Sequence, residues 1–300
     1  MILHQGKVAY SHSAGLADRE ANTPMRPDRI FRIHSMTKLI ASTAAMVLYE
    51  EGAFLLDDPI SKYLPQLANL KVLTEELNPN SPVVNAKRPL TVRHVLTHTS
   101  GFFNNAAYGK ARVFDRDSSL KEMVQKLAKV PLAHQPGEGW RYGQSIDVVG
   151  ALVEVWSGKS FDVFLEERIF RPLKMTDTAF YVPAGKLKRM AQQYKVEKDG
   201  ILALDPPPDY TKKPTYFSGG GGLYSTIGDY SRFLQIFLKQ GSSEGQRILS
   251  PAIVDFMMRN HVPLELFQEG GPNGRRAHGF GIGAAVLIDC LLYTSPSPRD

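Results

Sequence analysis

The run Leu39-Ile40-Ala41-Ser42-Thr43-Ala44-Ala45-Met46-Val47-Leu48 is apolar on nearly every side at helical period, and Gly52 stands where such a helix would stop. A segment of this kind predicts a helix buried all round, so the rest of the chain has to fold about it. It opens on Phe31-Arg32-Ile33-His34-Ser35-Met36-Thr37-Lys38, which places a serine and a lysine in its predicted first turn. Positions i and i+3 share a helix face, so the Ser35 hydroxyl and the Lys38 amine are expected to meet. A lysine at the head of an interior helix needs a buried role, because lysines are almost never fully buried without a partner. Base to a serine nucleophile is a role that fits. A hydroxyl attacks poorly until something takes its proton, and an amine takes it only when neutral, the form that low dielectric and the positive end of a helix dipole favour.

The pair alone is weak evidence, since a chain of this length meets S-x-x-K roughly once by chance. A second copy, Ser118-Ser119-Leu120-Lys121, precedes Met123, Val124 and Leu127 and reads as an ordinary helix cap. No G-x-S-x-G occurs, so the nucleophile elbow of the α/β-hydrolases is missing. His94 and His98 stand four apart, but no glutamate follows His94 and no third ligand is evident, so they read as packing and capping histidines. The glycines of Phe217-Ser218-Gly219-Gly220-Gly221-Gly222-Leu223-Tyr224-Ser225 lack the Lys-Ser/Thr of a P-loop and are read as allowing a close backbone approach beside a cleft. Gly279-x-Gly281-x-x-Ala284 imitates a dinucleotide fingerprint inside an expected strand, with no helix or acidic partner after it.

Between these features the chain reads as helices and turns. Gln5-Gly6 predicts a turn between two strands. Thr91 predicts a cap for a helix from Val92 to His98, residues 118 to 130 an amphipathic helix, and Ser145 a cap for a helix from Ile146 to Trp156 that Gly158 stops. The turn-rich Gln135-Pro136-Gly137-Glu138-Gly139-Trp140-Arg141-Tyr142-Gly143-Gln144 delivers an aromatic just ahead of that helix; on its own, Tyr142 reads as a packing residue. Asp162 to Phe170 predicts another helix and Lys186 to Pro214 a long surface excursion. Thr226 to Asp229 predicts a capping box for a helix through Lys239, Ser250-Pro251 opens the next, and His278 to Asp289 reads as one strand.

With 43% hydrophobic and 22% charged residues, the chain is ordinary globular material for one large domain or two interleaved ones. Thirty-six basic and thirty acidic residues leave +6, spread along the chain and without a nucleic-acid motif. No apolar run reaches the roughly eighteen residues of a transmembrane segment. The one cysteine, Cys290, gives neither a disulfide framework nor a thiolate metal site. Both ends read as cut: the first strand is short, no charged-then-apolar leader singles out a cytoplasmic or periplasmic location, and residues 290–300 change composition abruptly, like a non-native tail.

Taken together, Ser35-x-x-Lys38, His98-Thr99-Ser100-Gly101, Pro136-Gly137-x-x-Trp140-x-Tyr142 and the Ser218 to Ser225 glycine stretch resemble the serine β-lactamase and penicillin-binding-protein superfamily, in its class C-like branch with the family VIII carboxylesterases. The resemblance runs from about Gly6 to Asp289. It implies an α/β (α+β) fold: an antiparallel sheet flanked by helices, formed by residues 1–52 and 215–289, with a mostly helical lobe, residues 53–214, inserted. It implies Ser35 as the acylated nucleophile, Lys38 as its base, Tyr142 as proton shuttle, and the Ser35 N–H as half of an oxyanion hole, where one donor is typically worth about 2.7 to 4 kcal/mol. Trp140, Gln144, Gly220 and Gly221 are the expected substrate-positioning residues, with Gln144 standing where the family has an asparagine or serine-based motif. The third motif is expected on a strand after Asp289, so this polypeptide as written is expected to have little activity.

The expected reaction is cleavage of a small carboxylic ester, with no metal or organic cofactor. The alternatives are a β-lactam or D-alanyl-D-alanine peptide substrate handled by the same chemistry, and an inactive homologue serving as a binding module.

Overall fold

The apolar run forms helix α1, Thr37–Glu50, in which Ile40, Ala41, Ala44, Ala45 and Met46 are wholly buried. Removing side chains the size of Ile40 and Met46 from water contributes about 1.5–3 kcal/mol each. Gly52, at φ +78°, takes the left-handed conformation that ends the helix. The computed structural model describes residues 1–76, 78, 80–103, 113–198, 200–205, 209–267 and 278–288.

Helices α2 (Val92–Leu96) and α3 (Leu120–Leu127) each begin with a capping box, Thr91 with His94 and Ser119 with Glu122. Both are shorter than the sequence predicts. The cap of α3 is Ser119; Ser118 instead accepts a hydrogen bond from Lys126 Nζ at 2.6 Å. Helix α4, Ser145–Ser157, is the hub, packed against α1, α2, α3 and α5 (Phe161–Leu165), which runs on as a wide π turn to Phe170. Trp156 of α4 stacks on Phe54 with ring centroids 3.8 Å apart, and Gly158, φ +68°, closes the helix. Ser145 does not cap it, because its hydroxyl is tied to Ser100 Oγ at 2.7 Å. Helix α6, Ile227–Leu238, keeps only the Thr226 half of its capping box: the Asp229 carboxylate is taken by the Asp177 N–H, Thr178 and Arg232. Ser250 and Pro251 open α7, Pro251–Met257, as expected.

The strands keep the antiparallel pairing of the sequence reading but form small sheets. Among the described residues they pair two by two in antiparallel ladders of two to four residues: β1 (Ile2–His4) with β2 (Lys7–Tyr10), β3 (Leu16–Asp18) with β4 (Thr23–Pro24), β5 (Phe31–Arg32) with β10 (Tyr224–Ser225), β6 (Lys71–Leu73) with β7 (Val83–Asn85), β8 (Tyr194–Val196) with β9 (Leu202–Leu204), β11 (Ser242–Ser243) with β12 (Gln246–Arg247), and β13 (His278–Phe280) with β14 (Ala285–Leu287). Gln5 and Gly6, both at positive φ, make the expected hairpin turn. The expected surface excursion after Lys186 carries the β8–β9 hairpin. The single strand expected over 278–289 is also a hairpin, since Gly283 at φ +82° reverses the chain and Gly281 N–H closes on Ala284 O. Asp289 and the tail that follows it lie outside the described residues. Among the described residues no helix is long and apolar enough to cross a membrane.

The β5–β10 ladder places the site. It pairs Arg32 with Tyr224, and Ile33 N–H continues it to Leu223 O at 3.0 Å. The strand entering Ser35 is therefore stitched to the strand leaving the four glycines, nearly two hundred residues later.

Candidate active site

Ser35 sits in a 3-10 turn, His34–Met36, just ahead of α1 and not within its first α-helical turn as predicted. His34, the residue before Ser35, has a φ of +44°; such sparsely populated backbone clusters at functional sites. The spacing still brings the two side chains together. Lys38 Nζ donates to Ser35 Oγ at 3.0 Å and to the Gly220 carbonyl at 2.6 Å. Ser35 is exposed while Lys38 is 6% exposed, so a solvent-open hydroxyl faces a buried amine. Both line a cleft of about 530 Å³, together with Arg32, Tyr142, Gln144, Asp147 and Gly220–Gly222.

Tyr142 reaches this cleft from the loop before α4, and Lys38 Nζ lies 4.8 Å from its ring centroid. Among the described residues its hydroxyl has no hydrogen-bond partner, and the side chain is 45% exposed. His98 is the template for the loop. Its carbonyl accepts the Arg141 N–H at 2.9 Å, its Nδ1 accepts the Gly143 N–H at 3.4 Å, and its ring lies 4.7 Å from that of Tyr142. Trp140 is not on the cleft wall. It packs behind Tyr142 on Phe267 and Phe280, at 5.2 and 5.5 Å between centroids. Gln144 lines the wall and is the N-cap residue of α4.

The two histidines four apart face different neighbours: His94 Nδ1 accepts the Thr91 N–H in the α2 cap, and His98 is wholly buried among aromatics. Burial, and then the Lys38 charge, pushes the His98 imidazole down to about 3; burial, and then Arg88, pushes His94 down to about 4. Below an ordinary histidine pKa of 6.5 the unfolded His98 binds a proton that the folded one refuses. Its contribution to stability is thus full above pH 6.5 and is lost as pH falls toward 3. His98→Asn removes this titration while keeping an acceptor for Gly143. Urea unfolding at pH 7 and pH 4.5 is expected to show that the acid-induced stability loss is smaller in the variant by roughly 2–3 kcal/mol. Equal losses would show that His98 is not the group responsible.

The glycine run approaches the site closely. A Cβ on Gly219 would stand 2.5 Å from Ile146 O, and one on Gly220 would stand 2.3 Å from Asp147 Oδ2. Asp147, 1% exposed in the first turn of α4, was not singled out from sequence. Its Oδ1 accepts the Tyr216 hydroxyl at 2.6 Å, the Ser218 hydroxyl at 2.6 Å and the Gly220 N–H at 3.2 Å. Burial and the adjacent carboxylate hold the Tyr216 phenol well above its usual range, so it stays a donor. The available signal was a carboxylate interrupting the apolar face of Ile146, Val148 and Val149.

A hydroxyl and an amine one turn apart at the head of an interior helix, under a cleft walled by a tyrosine loop and a glycine run, are equipped for acyl transfer to serine. The chain belongs to the Beta-lactamase family, whose sequence model matches residues 1–287. It is 34% identical to Protein Rv1367c of Mycobacterium tuberculosis (strain ATCC 25618 / H37Rv), over 96% of this chain and 74% of that protein. It is 32% identical to Esterase EstB of Burkholderia gladioli, over 99% of this chain and 76% of the esterase. Among solved structures it is similar to EstCE1, a hydrolase with promiscuous acyltransferase activity, with a TM-score of 0.79 and 27% identity over 97% of this chain and 78% of that one. Its fold is accordingly that of the β-lactamases and transpeptidases, in the class C-like branch that holds these esterases.

Proposed function

We propose that the chain is a serine hydrolase that cleaves carboxylic esters through an acyl-enzyme on Ser35. The observation that carries this reading is the 3.0 Å contact between an exposed serine and a buried lysine inside the cleft. Ser35 Oγ attacks the ester carbonyl carbon as its proton passes to Lys38, and the Ser35 N–H supports the oxyanion that forms. The Tyr142 phenol carries a proton to the departing alkoxide, and water then releases the acid. Gln144 and Gly221 flank the substrate. None of these steps calls on a metal or an organic cofactor. The similarity to EstB supports ester chemistry, and the similarity to EstCE1 supports a second fate for the acyl group, transfer to an alcohol in place of water.

The test is covalent. A fluorophosphonate probe, applied to the 300-residue chain and to the full product of its gene, is expected to add one equivalent to Ser35, and labelled protein is expected to lose all turnover of short-chain p-nitrophenyl esters. A folded sample of the full product that takes up no probe would favour the inactive, ligand-binding homologue.

A second reading, a β-lactam or D-alanyl-D-alanine peptide substrate, is supported by Arg32 and Arg116 on the cleft wall. The Arg32 guanidinium has no hydrogen bond or ion pair among the described residues, and a guanidinium of this kind suits a substrate carboxylate. Hydrolysis of nitrocefin at a rate comparable to the ester, lost in Arg32→Gln, would establish this reading over the first.

A further inference from the structure

A base needs an orientation as well as a position. A neutral primary amine has two N–H donors and one lone pair, and only the lone pair takes the serine proton. Two oxygens face Lys38 Nζ, and they differ in kind: the Gly220 carbonyl at 2.6 Å can only accept, whereas Ser35 Oγ at 3.0 Å can also donate. When Lys38 serves as the base, an N–H held by the carbonyl leaves the lone pair to turn to the Ser35 hydroxyl. The Gly220 carbonyl is therefore the orienting group of the pair, in the place that a third side chain holds in a nucleophile-base-orienter triad.

The carbonyl is itself held. It belongs to the planar peptide between Gly220 and Gly221, whose N–H donates to Ser218 Oγ at 3.1 Å. Ser218 Oγ in turn donates to Asp147 Oδ1 at 2.6 Å, and the same oxygen takes the Gly220 N–H at 3.2 Å and the buried Tyr216 hydroxyl. An unbroken series of hydrogen bonds thus runs from the Asp147 carboxylate through Ser218 and the Gly220–Gly221 peptide to Lys38 and Ser35. Each donor in it polarises the next. The series also accounts for the glycine: a Cβ at 220 would meet Asp147 Oδ2 at 2.3 Å and force the peptide off the carboxylate.

We propose that Asp147 is a positioning residue for Lys38, acting through Ser218 and the Gly220–Gly221 peptide to aim the amine at Ser35. The proposal rests on the reading of Lys38 as the base. Asp147→Asn removes the charge that anchors the series and Ser218→Ala breaks it in its middle, while Ser218→Thr keeps the hydroxyl. With rates normalised to titrated active sites in the full gene product, the first two variants are expected to lower kcat for a p-nitrophenyl ester by about 10- to 100-fold, the scale of a misplaced catalytic group. KM should stay within about threefold of wild type, and Ser218→Thr should recover most of the rate. In protein carrying 13Cε-lysine, the Lys38 resonance is expected to be displaced in Asp147→Asn and Ser218→Ala but not in Ser218→Thr.

A purely structural role would lower the melting temperature and the titratable fraction, leaving kcat per site and the Lys38 resonance unchanged, and that result overturns the proposal. The spectroscopic arm needs no turnover. A displaced resonance in a protein whose Ser35 never acylates would count against the hydrolase reading and for the positioning role.

Discussion

Ser35→Ala is expected to reduce ester hydrolysis by the full gene product to the background rate, and Lys38→Met to do nearly as much. A serine and its base act as one unit, so removing either costs on the order of 10⁶ in kcat, and removing both costs little more. The double variant Ser35→Ala/Lys38→Met should therefore match the single ones. Methionine is the informative replacement for Lys38, because the aliphatic stem is packed at the head of α1 and only the amine contacts Ser35 and Gly220. An alanine there would add a packing loss to the chemical one. Initial rates with p-nitrophenyl acetate and butyrate, with thermal melts as a check on folding, decide the matter. A Ser35→Ala protein that hydrolyses the ester at the wild-type rate would move the acyl group to another residue and end the mechanism.

Tyr142→Phe is the second large effect. The ring stays against His98, 4.7 Å away, so the loop keeps its template and only the phenolic oxygen is lost. Proton transfer by a positioned side chain contributes about 10²–10⁴-fold, and a kcat reduction of that size is expected with little change in KM. The rate of fluorophosphonate labelling separates proton delivery to the leaving group from activation of Ser35. If Tyr142 serves the leaving group, a probe with a good leaving group should label Ser35 in the variant almost as fast as in wild type. Equal loss in labelling and turnover would assign the phenol to activation of Ser35 instead.

The features legible in the sequence are the local ones. Gly52 and Gly158 end helices because their signals lie within one turn of what they stop, and Gln5-Gly6 turns a hairpin for the same reason. Ser35 and Lys38 are neighbours by helical arithmetic, although the serine lies in a 3-10 turn ahead of the α-helix. The glycine run signals a close backbone approach, but nothing local says what it approaches. Asp147 and Ser218 are seventy-one residues apart, and an acidic residue in the first turn of a helix looks like a dipole partner until tertiary packing covers it. The hairpin over 278–287 was hidden because its alternating apolar residues continue across the turn, and only Gly283 marks the reversal. Trp140 is expected beside the substrate only because it shares a family motif with Tyr142; its ring, 6.3 Å from that of Tyr142, is taken up by Phe267 and Phe280, which are distant in sequence.

Helix α1 is enclosed on every flank, with α4 against one side and the Gly283 turn against another, where a Cβ would meet Ser42 Oγ at 2.3 Å. A rod held in this way has no slack for resizing, so altered selectivity cannot be engineered by enlarging or trimming its side chains. The adjustable wall of the cleft is made of connecting segments: Phe114 and Arg116, Tyr142 to Gln144, and Pro214 to Ser218. Libraries confined to those stretches would change which molecules enter while the reacting atoms keep their places, and libraries spread along α1 would mainly yield insoluble protein.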